Sequence, residues 1–281
     1  MSRPTFRLAR PSEEERLARF CAEAFSADPS YFKRRWRQDP APGSFSLVLE
    51  IADQLVGHVH VFDRELELGP GPARCAGLAN VAVSSQDRGK GYARLLLREC
   101  LERCAEEGYK LSLLYTHVPA VYEAVGFETV PEREALLPAG DGAGWVSGAQ
   151  RGEDRELYAR EYGGRPWTVH RDSACWTARL GWLPAEGWQL LDREDADGYC
   201  WVKAEGDGGL VDEAVGECSR RLLVGAPAPG SWRCRVPLGA VPELPEAPEV
   251  EAVAMVRGLA PGVTLDSFSA PGAVGWRTDA F

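Results

Sequence analysis

The stretch that most limits how this chain can fold is Leu78–Gly108, LANVAVSSQDRGKGYARLLLRECLERCAEEG. Leu78 to Val83 is a short apolar run containing β-branched residues, and it reads as a strand. Gln86-Asp87-Arg88-Gly89-Lys90-Gly91 follows as a tight glycine loop. After it, Ala93, Leu97, Cys100, Leu101 and Cys104 recur at helical spacing, with Arg94, Arg98, Glu99, Glu102 and Arg103 on the other faces. A strand, a glycine loop and a helix in this order leave the first backbone N–H groups of the helix unpaired. Together with the positive end of the helix dipole they suit an anion, above all a phosphate. Gly89 and Gly91 allow conformations and close approaches that a Cβ would block. Arg88 and Lys90 place charge beside the anion, and Tyr92 and Ala93 open the helix. The loop lacks the Gly-Lys-Ser/Thr ending of a nucleoside triphosphate loop and the G-x-G-x-x-G of a dinucleotide fingerprint.

A second segment stands downstream, LLYTHVPAVYEAVGFE (Leu113–Glu128). It reads as a strand, then a helix opened by Pro119 and carrying Tyr122, then Gly126-Phe127. Gln86, Gly89 and Gly91 match Q/R-x-x-G-x-G/A, and Tyr122 with Gly126-Phe127 matches YxxxGF. Two matches in this order resemble the GNAT acetyltransferase superfamily. The resemblance implies a mixed α/β fold and acetyl-CoA as cofactor. The pyrophosphate would lie on Gln86–Gly91, Tyr92 and Ala93, and the pantetheine amides on backbone groups of Val81, Ala82 and Val83.

Composition narrows the rest. At 281 residues with 44% hydrophobic content, the chain can build one large domain or two ordinary ones. A net charge of −10 argues against general nucleic-acid or anionic-membrane binding and fits a cationic small substrate. Eight scattered cysteines without a CxxC pair, no signal peptide and no apolar run near ~18 residues indicate a reduced, cytoplasmic protein. The four histidines show no ligand spacing with the cysteines, so no metal is expected.

Along the chain, Pro4–Leu8 reads as a strand, and Ser12 with Glu15 as a capping box opening a helix. Asp28-Pro29 starts a second helix, whose Tyr31, Phe32 and Trp36 lie among Lys33, Arg34, Arg35 and Arg37. That helix reads as packed with a solvated basic face, and as a candidate wall of the acceptor pocket. Ser44–Ile51 and Leu55–Phe62 form strands around a turn, and His58 and His60 on one face read as core or pocket histidines rather than a proton relay. Pro138–Gly152 is loop-like and sets the expected boundary between residues 1–150, a complete acetyltransferase domain, and residues 151–281. The second part reads β-β-β-α-β-β without a cofactor loop, a degenerate GNAT-like copy. This tandem plan resembles the Eis-like (enhanced intracellular survival) acetyltransferases, without room for their sterol-carrier-like domain. In those proteins the terminus turns back into the first active site. The tail Gly275–Phe281 is therefore read either as docked there or as packed for stability.

The chemistry expected is transfer of an acetyl group to a primary amine of a small molecule, aminoglycoside- or polyamine-like. By family position Tyr122 would be the general acid, its phenol suited to a thiolate of similar basicity; the other reading is a core tyrosine. Leu78–Val83 contains no carboxylate, so the base is either the α-carboxylate of Phe281 or water relayed through His117 or an acid of the first domain. The alternatives are an acyl-CoA sensor without turnover and a mycothiol-synthase-like acyltransferase. The expected partner is the amine substrate, with no nucleic acid or membrane, and a homo-oligomer is allowed for.

Overall fold

The computed structural model describes residues 3–39, 41–68, 71–130, 133–236, 245 and 253–263. β1 (Thr5–Leu8) leads through a 3-10 turn at Pro11–Glu13 into α1 (Glu14–Phe25). The capping box expected at Ser12 and Glu15 lies elsewhere. Glu13 accepts from the Arg10 backbone N–H at 2.9 Å, while Glu15 pairs with Arg19 and Lys33 on the surface. Pro11, with its fixed φ and missing N–H, suits the first position of a turn and draws the start upstream. α2 (Pro29–Gln38) opens as expected at Asp28, whose side chain accepts from Ser30 N–H at 2.7 Å. β2 (Phe45–Ile51) and β3 (Gln54–Glu67) form a hairpin. Its two turn residues, Ala52 and Asp53, have φ of 49° and 62°, as a twist-matched two-residue turn requires.

β4 (Pro72–Val83) follows, then α3 (Tyr92–Glu106), β5 (Leu111–Thr116), α4 (Pro119–Glu123) and β6 (Glu128–Val130). The remainder runs β7 (Arg133–Leu136), β8 (Trp145–Ser147), α5 (Gly152–Tyr162), α6 (Ser173–Ala185), β9 (Trp188–Arg193), β10 (Ala196–Glu205), β11 (Gly208–Gly216), α7 (Glu217–Leu222), β12 (Trp232–Val236) and β13 (Val253–Gly258). A seven-stranded sheet has the order β1-β2-β3-β4-β5-β13-β6, and a six-stranded sheet the order β7-β12-β11-β10-β9-β8. Each holds one parallel pair, β4 with β5 and β11 with β12, among antiparallel ones. The mixed α/β class is as expected.

The sheets do not follow the division expected at residue 150. β7 and β8 belong to the second sheet, and β13 lies in the first, between β5 and β6. The strand order of the second half is present as β9-β10-β11-α7-β12-β13, with its last member in the other sheet. The reason lies in β5, where Leu111, Ser112, Leu113 and Leu114 are all buried. A strand covered on both faces needs a neighbour at each edge, and Ala254, Met255 and Val256 of β13 supply it, buried in turn.

α3 packs Leu96, Leu97, Cys100, Leu101 and Cys104 onto Leu47, Leu49, Val59, Val61, Ala76 and Leu78. Each such leucine contributes about 2 kcal/mol by leaving water. α1 and α2 cover the opposite face with Ala18, Cys21, Ala22 and Phe32, because alternate residues of a strand point to opposite sides. The second sheet carries an aromatic core of Tyr158, Tyr162, Trp176, Trp182, Tyr199 and Trp201. Under it, Glu213 takes Arg171 at 2.5 Å, Arg179 at 3.0 Å and the Tyr199 hydroxyl at 2.7 Å, all buried. Burial pushes the Glu213 carboxyl up, but the two guanidinium groups outweigh it and hold it below the usual carboxylate range. No helix among the described residues is long and apolar enough to cross a membrane.

Candidate active site

The site is built on an irregularity of β4. In the ladder with β3, His58 faces Ala82 and His60 faces Ala79. Val59 alone therefore spans Asn80 and Val81, so β4 bulges there by one residue. Asn80 takes φ 52°, a left-handed conformation that Asn tolerates better than most residues. On its other edge β4 pairs with β5 only at Cys75–Leu111, Ala76–Ser112 and Gly77–Leu113. β4 runs on to Val83 and β5 to Thr116, yet no further rung joins them. The two strands part, and the β5-facing edge of residues 78–83 has no strand against it among the described residues. Along this edge Val81 and Val83 are half-buried and Ala82 is buried.

Beyond Val83 the chain enters the glycine loop. Gln86 sits exposed in a 3-10 turn at Ser85–Asp87. Asp87 accepts from the Ser84 hydroxyl at 2.6 Å and from Lys90 Nζ at 2.7 Å, which braces the turn. Gly89 and Gly91 have φ of 77° and 81°, and a Cβ built on either would meet nothing within 4 Å. Glycine is demanded here by backbone conformation, and the space above the loop is open. Gly91 immediately precedes α3, and no side chain caps the first turn of that helix, where Tyr92 and Ala93 are half-buried. Its N–H groups and dipole thus face open space, a cradle for an anion. The basic residues do less than expected: Arg88 reaches back to the Ala24 carbonyl at 3.2 Å, and Lys90 is held by Asp87. The attraction for an anion rests on backbone donors.

Tyr122 is 9% exposed and packs edge-on to Phe127, ring centroids 6.0 Å apart. Burial raises its phenol pKa, opposed by a hydrogen bond with the Thr116 side chain. The group is therefore protonated at neutral pH, as a proton donor must be. Thr116 Oγ1 also accepts from Val118 N–H at 3.0 Å, fixing the step from β5 to α4. At the far end of α4, Arg257 of β13 donates to the Val125 carbonyl, so the strand from the end of the chain steadies the helix that carries Tyr122.

On the opposite face of the sheet, His58 and His60 are buried, as read from their alternation. Burial lowers His58 to about 4. His60 is also lowered, by burial first and then by His58, Arg64 and Arg35. Both rings are neutral at physiological pH. Trp36 lies over His60 at 5.5 Å and donates from Nε1 to Asn80 Oδ1 at 3.0 Å. The basic face of α2 is only partly solvated. Arg37 and Lys33 pair with Glu14 and Glu15, but Arg35 is buried, 4.2 Å from the Trp182 ring centroid and 3.5 Å from Glu186, joining α2 to α6. His117 is exposed past β5. Phe281, with the tail from 275, lies outside the described residues, as does most of the 241–248 link. No group of three or more metal-ligating side chains forms among the described residues. Sequence reasoning passed over Asn80, Ser46, Thr116 and Arg257. Only Asn80 left a signal, a left-handed-tolerant residue inside an otherwise apolar strand.

Residues 5–130 match the family model of the acetyltransferase (GNAT) domain. No curated protein matches the sequence. Among solved structures, a GCN5-related N-acetyltransferase from Kribbella flavida superposes with a TM-score of 0.68 at 19% identity, covering 92% of this chain and 71% of that one. A GCN5-related N-acetyltransferase from Anabaena variabilis gives 0.67 at 16%, covering 92% and 73%. Eis1 from Mycobacterium abscessus gives 0.65 at 16%, covering 92% and 74%. At such identities the likeness is one of fold, and it extends over both halves of the chain. The family match itself takes in the bulged strand, the glycine loop and Tyr122. Residues 5–130 therefore match a GNAT acetyltransferase domain, the fold of an acyltransferase.

Proposed function

We propose that the protein transfers the acetyl group of acetyl-CoA to a primary amine of a small molecule, aminoglycoside- or polyamine-like, by direct attack. The observation that carries this reading is that the unpaired edge of β4 runs directly into an open glycine loop on an uncapped helix N-terminus. An extended chain ending in a pyrophosphate fits such a path: its amides against residues 81–83, its phosphates on the N–H groups of Gln86–Ala93. Acetyl-CoA supplies the activated acyl group. A backbone N–H near Val81 stabilises the oxygen on which charge develops. Tyr122, neutral and shielded, gives its proton to the departing thiolate. With no carboxylate in Leu78–Val83, the proton of the amine passes to water relayed through His117 or through an acid of the first domain. The net charge of −10 favours a cationic acceptor.

The likeness in fold to Eis1 over 92% of the chain supports a tandem, Eis-like arrangement. In it residues 1–150 hold the site, and residues 151–281 are a degenerate copy that lends β13 to the first sheet. The eight cysteines, present as thiols, fit a cytoplasmic setting. The test is a calorimetric titration with acetyl-CoA, followed by thiol release with a panel of polyamines and aminoglycosides. Binding with turnover on at least one amine is expected. Binding without turnover on any amine would favour the sensor reading, and no binding would overturn the assignment.

A further inference from the structure

The buried polar cluster on the α2 side of the sheet takes no part in the chemistry above. We infer that Trp36, Ser46, His58 and Asn80 are positioning residues for acyl transfer, locking the β4 bulge and with it the edge at 81–83 that receives acetyl-CoA. This rests on the acetyl-CoA reading proposed above.

The partners settle the direction of every hydrogen bond. His58 Nδ1 lies 3.1 Å from the Asn80 carbonyl, which can only accept, so Nδ1 carries the proton and the Cys21 sulfur, 3.3 Å away, is a second, weaker acceptor. His58 Nε2 is then the bare nitrogen and accepts from the Ser46 hydroxyl at 3.0 Å. With its one proton committed, Ser46 Oγ accepts from His60 Nδ1–H at 2.8 Å. His60 in turn stacks under Trp36, and the Trp36 indole N–H closes the circuit on Asn80 Oδ1 at 3.0 Å. The amide oxygen and the backbone carbonyl of Asn80 are thus held from outside β4, at the residue whose φ of 52° makes the bulge. A strand residue at positive φ persists only where its surroundings over-determine it, and here they do so from α2, β2 and β3 together. The bulge shifts the register of everything after it, so the placement of Val81–Val83 depends on the circuit.

The experiment compares acetyl-CoA affinity of the full chain with that of Trp36→Phe, which keeps the ring and deletes the N–H, and Asn80→Gly, which keeps access to positive φ and deletes the amide. Val130→Ala, buried on β6 in a separate cluster of the same sheet and away from the circuit, controls for loss of stability. Each of the first two variants is expected to raise Kd about three- to tenfold, the worth of one neutral hydrogen bond. The double variant is expected to be little worse than either, because both break one link. Amide exchange at 81–83 should lose part of the protection that acetyl-CoA confers in both circuit variants, while Val130→Ala lowers Tm and leaves Kd unchanged. Tight binding by wild type with equal Kd for Trp36→Phe and Asn80→Gly overturns the inference alone. So does a Kd that follows Tm across all three variants. Failure of wild type to bind removes the acetyl-CoA reading and this inference with it.

Discussion

Gly91→Ala tests the phosphate cradle with a control built into the same helix. Gly91 has φ 81°, and an added Cβ would meet no atom within 4 Å. Gly108, just beyond the opposite end of α3, has φ 87° and the same open surroundings. Alanine at either site must adopt a left-handed conformation, at a cost of about 1–2 kcal/mol. For a chain of this size that is a few degrees of Tm for each variant. The ligand sees the two ends differently. At Gly91 the methyl group enters the open space over the first N–H groups of α3 and displaces one charge-assisted hydrogen bond to phosphate. Such a bond is worth about 1.5–3 kcal/mol, or roughly 10- to 100-fold in Kd. Gly108→Ala is expected to melt like Gly91→Ala and bind acetyl-CoA like wild type. Differential scanning fluorimetry and calorimetric titration read the two quantities separately. Equal acetyl-CoA affinity for both variants would refute the cradle, since the open space at Gly91 would then hold nothing.

Tyr122→Phe is expected to lower kcat by about 100-fold with acetyl-CoA affinity retained, measured by thiol release; turnover near wild type would make Tyr122 a core residue. Glu213→Gln leaves the buried Arg171 and Arg179 without their carboxylate, and chemical denaturation is expected to show a loss of about 3–5 kcal/mol. His58 gives the acid dependence of stability. Its folded value of about 4 lies below the ordinary histidine value of 6.5, so the unfolded chain binds the proton more tightly. Stability is therefore full above about pH 6.5 and falls as pH drops toward 4. The loss reaches about 2 kcal/mol for this group at pH 5, and denaturant titrations at pH 7 and 5 should show a smaller difference for His58→Phe.

Local chemistry made part of the molecule legible in advance. Gly89 and Gly91, the alternation through β2 and β3, Pro119 at the head of α4 and the apolar stripe of α3 all act within a few residues, and a short window of sequence contains their cause. The start of α1 departs from the sequence reading because Ser12 and Glu15 fit the capping pattern, yet Pro11 opens the turn and Glu13 takes the Arg10 N–H. The pairing of strands could not be read. β13 alternates like many strands, and only the doubly buried β5 shows why it is needed there. The same holds for Arg35, whose place on Trp182 depends on two helices far apart in sequence. Asn80 was visible as an oddity, but its bulge required the facing registers of His58 and His60.

The position of β13 bears on how the protein is made. The strand that completes the first sheet and steadies the Tyr122 helix leaves a ribosome well after β1 to β6 have emerged. Until residues 253–258 arrive, β5 carries an open apolar edge and β6 has no neighbour to pair with. The first sheet is thus completed only after the strands of the second have been made. A nascent chain halted near residue 150 would display that edge to other chains, the kind of surface from which intermolecular β-pairing begins.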